Sequence, residues 1–274
     1  MARPPDAAVA GSIAAGAGRP SRRVALPRAL WRLVRAVLHA LHGGWICAVV
    51  FPFLDHAGRM RRVGWWARRM LDVLGIGLEA HGAIQFAPVL LVSNHVSWLD
   101  ILAIDSVRPA RFVSKAGVRH WPLLGFMVAC GGTLFIERER KRDALRVVHR
   151  VAAALRDGAT VAVFPEGTTG AGPALLPFHA NLLQAAISTA TPVQPVALRY
   201  ADAADSFSAA PLYLDDTSLL QSVWQVACAD TLVVHITALA PVETAATTQR
   251  RPLAGVARDA IQQVLDAAGP TPTT

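Results

Sequence analysis

The sequence predicts an α/β fold: a mixed, largely buried sheet flanked by helices, with an N-terminal helical membrane anchor. Three observations lead there. Beyond residue 73, short apolar runs rich in β-branched residues alternate with amphipathic helical stretches. Over 274 residues, 53% are hydrophobic and 17% charged, which provides a large core and excludes global disorder. The formal net charge of +8 is unevenly spread. Residues 1–69 hold 12 Arg, no Lys and only two acids, Asp6 and Asp55, and the rest of the chain is slightly acidic. The division expected is a disordered tail (1–27), a membrane-anchoring helical segment (28–72), a globular domain (73–267) and a frayed end (268–274).

Residues 1–20 are rich in Ala, Gly and Pro and lack both periodicity and a bulky apolar region, so they read as a tail rather than a signal peptide. From Ala36 to Leu54, 19 residues pass without Asp, Glu, Lys or Arg, near the length that crosses hydrocarbon. Gly43-Gly44 and Pro52 are expected to interrupt this run, so a spanning helix and an in-plane hairpin both fit. Residues 58–71 then interleave five Arg with Trp65 and Trp66, a composition suited to the lipid head-group layer. No helix-turn-helix, zinc or RNA-binding signature accompanies the basic stretch, so no nucleic-acid partner is indicated.

In the body, strands are expected at 88–93, 111–114, 133–136, 159–164, 193–199 and 231–239. Helices are expected at 141–156 and 252–267, where apolar residues recur on one face. Cys47, Cys130 and Cys228 are odd in number, with no C-x-x-C, which excludes a disulfide scaffold and fits a reducing compartment. No ligand cluster with metal spacing occurs, so neither metal nor cofactor is expected.

The chemistry concentrates where strands end. SNHVSWLD (93–100) follows the strand at 88–92 and holds His95 and Asp100 five positions apart. On a regular helix such positions point roughly 140° away from each other. His95 must therefore lie at the strand-to-helix turn if Asp100 is to bond it, with Ser93 and Asn94 as polar residues suited to the helix start. A carboxylate there would hold one tautomer of the imidazole, as a general base requires. FPEGTTG (164–170) closes another strand. Gly167 lets backbone amides approach an anion, and Thr168 and Thr169 add hydroxyl donors. Lys115 and Arg138 each follow a short strand and could reach over the sheet's end toward a phosphate. A serine hydrolase would need a G-x-S-x-G elbow, which the sequence lacks.

NHVSWLD, GTLFIER, FPEGTTG and VQPVALRY, in this order, resemble the four blocks of the glycerolipid acyltransferase family, which includes 1-acylglycerol-3-phosphate acyltransferases. The resemblance covers roughly residues 75–240. It implies acyl transfer from an acyl thioester, on coenzyme A or acyl carrier protein, to the free hydroxyl of a lyso-lipid. His95 would be general base and Asp100 its orienting partner. Arg138 would meet the acceptor's phosphate, Glu166 and Gly167 would lie in the acceptor site, and Pro195 would shape the acyl pocket. The implied acceptor is 1-acylglycerol-3-phosphate, and the implied location is the cytoplasmic face of an inner membrane. The family's third block commonly ends in Arg where Thr169 stands here. That form looks like relatives acting on other lyso-lipids, such as lyso-ornithine lipid. Oligomeric state is left open by the sequence.

Overall fold

The structure, a computed structural model, describes residues 23–136, 141–214 and 217–269. Two long helices come first. α1 (Leu26–Trp45) starts with Pro27 in its first turn, where the missing N–H costs nothing. It runs on through a π-helical turn (Ile46–Val50) and a 3₁₀ turn (Phe51–Phe53). Asp55 then caps α2 (His56–Leu74), its Oδ1 accepting the Gly58 N–H at 2.7 Å, and Gly75 ends that helix in the left-handed conformation.

The expected break at Gly43-Gly44 is corrected: both glycines lie inside α1. They serve close packing. A Cβ at Gly43 would stand 2.5 Å from the Trp66 and Met127 side chains, and one at Gly44 would stand 2.5 Å from Leu123. Trp66 and His39 clasp the two helices: Trp66 Nε1 donates to the His39 carbonyl at 3.0 Å, and His39 Nε2 lies 3.0 Å from the Trp66 carbonyl. Pro52 does mark the real break, just before the chain reverses.

Seven strands follow: β1 (Gly77–His81), β2 (Val89–Ser93), β3 (Arg111–Lys115), β4 (Leu134–Ile136), β5 (Thr160–Val163), β6 (Val193–Ala201) and β7 (Val233–Ala238). Their order is β1-β7-β6-β2-β5-β3-β4, with β6 and β7 antiparallel and every other pair parallel. Connecting helices are α3 (Leu99–Val107), α4 (Leu124–Cys130), α5 (Lys141–Arg156), α6 (Leu183–Ser188), α7 (Leu219–Cys228) and α8 (Arg250–Ala267). β2 explains why the sheet is buried on both faces. Val89 and Leu91 join Leu71, Leu99, Ile104 and Leu198 on one side. Leu90 and Val92 join Val151, Leu155, Val163 and Leu183 on the other. A parallel strand so covered reads as a continuous apolar run, as PVLLVS does. The six expected strands and both expected helices are present; β1 is an addition at the edge.

Candidate active site

β2 and β5 are parallel neighbours, so the two sequence motifs that follow them leave the same edge of the sheet. β3 and β4 run the same way, which brings Lys115, exposed at the end of β3, to that edge as well. Arg138 follows β4 but lies outside the described residues. Carboxyl ends of strands on either side of a change in strand order are where open α/β sheets form their sites.

His95 sits in the turn between β2 and α3, outside regular helix, and Asp100 occupies the first turn of α3. His95 Nδ1 is 2.8 Å from Asp100 Oδ2. The same oxygen accepts the N–H of Val96 at 2.6 Å and of Ser97 at 2.9 Å. Asp100 is fully buried, while the His95 side chain keeps 21% of its surface open. An ionised carboxylate at that depth needs such partners. With Nδ1 turned to Asp100, Nε2 is the nitrogen left to take a proton. Phe164 stacks on the imidazole, ring centroids 4.1 Å apart and planes 12° from parallel, and fixes its orientation.

The second motif grips the first by its backbone. Glu166 Oε1 accepts the His95 N–H at 2.8 Å, and Gly170 donates to the His95 carbonyl at 2.7 Å. Glu166 Oε2 accepts the Leu176 N–H at 3.0 Å. Burial raises the Glu166 pKa, against the opposing pull of these two N–H donors. Both carboxylate oxygens are thus engaged within the protein. Gly167 adopts φ 73°, which only glycine takes without strain, and the Thr168 side chain beside it is exposed. Thr169 donates to the Tyr213 carbonyl, which ties the 202–214 segment across one flank of the site.

One placement departs from the sequence reading. Asn94 does not cap α3; its amide bonds both backbone groups of Leu198 on β6, each at 2.8 Å. Pro195 is buried inside β6, opposite Val92. Tyr200, whose hydroxyl reaches Asp100 Oδ1 at 2.7 Å, was not singled out from the sequence. It stands 100 positions away and shares no spacing with the motif. The lone signal for it is its place at the end of VQPVALRY.

Comparison with known proteins follows the same lines. The family model described as Acyltransferase matches residues 78–199. The chain is 36% identical over 209 residues to 1-acyl-sn-glycerol-3-phosphate acyltransferase of Neisseria meningitidis, covering 76% of this chain and 82% of that protein. It is also 36% identical over 216 residues to lyso-ornithine lipid O-acyltransferase of Pseudomonas aeruginosa, covering 78% and 83%. Among solved structures, the 1-acyl-sn-glycerophosphate acyltransferase PlsC of Thermotoga maritima shares the fold. Its TM-score is 0.62 at 19% identity, over 86% of this chain and 97% of that one. Four motif blocks on this sheet, with relatives of such identity over three quarters of its length, make the chain a member of the acyltransferase family, enzymes of lipid metabolism.

Proposed function

We propose that this enzyme moves a fatty acyl group from an acyl thioester, on coenzyme A or acyl carrier protein, to the free hydroxyl of 1-acylglycerol-3-phosphate, giving phosphatidic acid. The observation that carries the reading is the partly open His95 ring backed by a fully buried Asp100 at 2.8 Å. His95 Nε2 takes the proton of the acceptor hydroxyl as its oxygen attacks the thioester carbonyl. The tetrahedral adduct collapses, the C–S bond breaks, and the imidazolium returns its proton to the departing thiolate. Asp100 holds the Nδ1–H tautomer and stabilises the transient imidazolium. No covalent acyl-enzyme is required. Lys115 and Arg138 serve the acceptor's anionic group, with Gly167 and Thr168 beside it, and Glu166 holds the His95 loop in place.

A second acceptor, lyso-ornithine lipid, is favoured by one observation. Thr169 offers no guanidinium, and its hydroxyl is given to the Tyr213 carbonyl. Residues 28–72 act as the anchor through which the lyso-lipid is drawn from an inner membrane, with domain 73–267 on the cytoplasmic face. Within the helical stretch Leu26–Phe53, an 18-residue window of mean hydropathy 1.6 supports the anchor.

The test is transfer of labelled acyl chains from acyl-CoA to a panel of lyso-lipids, 1-acylglycerol-3-phosphate and lyso-ornithine lipid first. His95→Ala is expected to lower kcat by about 10²–10⁴-fold with membrane association intact. Full activity in that variant would remove the catalytic assignment, and the preferred acceptor would decide between the two lipids.

A further inference from the structure

We propose that Tyr200 is a positioning residue for the transfer reaction, acting through Asp100 to set the charge and angle of the carboxylate that faces His95. This rests on the reading of His95 as general base.

The four bonds to Asp100 divide unequally. Oδ2 receives His95 Nδ1 and the N–H groups of Val96 and Ser97. All three come from Asp100's own turn, so alone they leave the carboxylate free to pivot about that one oxygen. Oδ1 has a single partner among the described residues, the Tyr200 hydroxyl at 2.7 Å. This bond comes from β6, the strand beside β2, and fixes the second point of the carboxylate plane.

β6 is itself held in register at that place. Asn94 bonds the Leu198 N–H and carbonyl at 2.8 Å each, two residues before Tyr200, and Ser208 donates to the Tyr200 carbonyl at 2.8 Å. His95 lies next to Asn94 in sequence, so the loop carrying the base and the strand carrying the phenol are joined twice.

Tyr200 is 2% exposed, so it meets no substrate and can act only through its partner. Burial, and then the neighbouring Asp100 charge, hold its pKa well above the usual phenol value, so it stays a donor throughout the working range. A donor on Oδ1 draws charge onto that oxygen and away from the one that faces His95. Asp100 then stabilises an imidazolium without taking its proton. Among the described residues, the titratable groups around Asp100 are His95 from its own loop, Glu166 from the loop after β5, and Tyr200 from β6.

Tyr200→Phe keeps the ring and removes the donor. We expect kcat to fall about 10–100-fold with both KM values within about twofold, and the acid limb of kcat/KM to move up by about 0.5 pH unit or more. In an Asp100→Asn background the same change should add little further loss, because the path through the carboxylate is already cut. An unmoved acid limb, or losses that simply add, would reduce Tyr200 to a core residue and overturn the inference. His95→Ala assayed alongside separates the two claims. An inactive His95→Ala with an unaltered Tyr200→Phe overturns this inference alone, whereas an active His95→Ala overturns the proposed function.

Should Tyr200→Phe not fold, the chain's two tyrosines, Tyr200 and Tyr213, allow uniform 3-fluorotyrosine labelling. Tyr213→Phe assigns the signals. The Tyr200 fluorine resonance should then shift with the same midpoint as the acid limb, and a resonance flat across that range counts against the role.

Discussion

Two carboxylates meet at His95, and their bonding separates their work. Asp100 spends one oxygen on the imidazole and on the turn that bears it. Glu166 spends both oxygens on backbone N–H groups, those of His95 and Leu176. The resemblance alone would put Glu166 among the groups that touch the acceptor; its bonds favour a scaffold. Glu166→Gln tests the difference. The amide keeps one acceptor oxygen but turns an NH₂ toward an N–H donor, in a side chain 5% exposed. One hydrogen bond is lost and a buried donor is orphaned, a loss of about 1–3 kcal/mol. The melting temperature and kcat are expected to fall together, with the acceptor KM unchanged. A raised acceptor KM at wild-type melting temperature would instead put the carboxylate in contact with substrate.

α3 carries a second buried acid, Asp105, near its C-terminal end. Its Oδ1 accepts the Ala110 N–H at 2.9 Å, and burial pushes its pKa up to about 8, partly offset by that bond. An acid raised on folding contributes stability that is whole below its unfolded pKa, near 3.8, and is lost as pH climbs toward 8. Asp105→Asn keeps the acceptor oxygen and removes the ionisation. The variant should match wild type near pH 4 and become the more stable of the two by about 1–3 kcal/mol at pH 8, read from melting curves across pH. A constant difference would assign the effect to packing.

Legibility also divides at this scale. β2, β5 and β6 were readable because burial on both faces demands unbroken apolar runs. β1 (GLEAH) pairs only with β7 at the sheet edge and exposes most of its side chains, so no pattern marks it. The antiparallel turn of β7 against β6 leaves no local trace either. In the site, His95 and Asp100 were readable because five residues of chain and the geometry of a turn constrain them together. Asn94 and Tyr200 were not, since their partners lie 100 or more residues away and only the folded sheet unites them.

Across the whole molecule, α1 inverts the usual pattern of a surface helix. Small or polar residues (Ala29, Ala36, His39, Gly43, Gly44) face the protein. Leu30, Val34, Leu38, Leu41 and Trp45 face outward, each about half exposed. Spacings of three, four and seven put these on one stripe, and exposed apolar surface of this extent marks an interaction face. Arg32 bonds the carbonyls of Ala227 and Ala229 at the C-terminal end of α7, and α2 and α4 cover the inner side, so one face of α1 belongs to the domain. A helix packed this way suits half-immersion in the plane of a bilayer better than crossing it. α4 joins this surface to the sheet end that carries His95: it follows the end of β3, packs under Gly43 and Gly44, and exposes Phe126, with Trp121 just before it. A lyso-lipid lifted along that route would keep its chains out of water while its hydroxyl reaches His95. Val34→Glu with Leu38→Glu should therefore weaken binding to anionic vesicles about 30-fold. That corresponds to about 2 kcal/mol for withdrawing two half-exposed aliphatic side chains from the lipid. Transfer to a short-chain, water-soluble lyso-lipid should persist at the wild-type rate, because neither residue touches the sheet edge. Vesicle co-sedimentation and a paired assay on short- and long-chain acceptors read both effects, and unchanged sedimentation would mean that α1 is not the lipid-facing element.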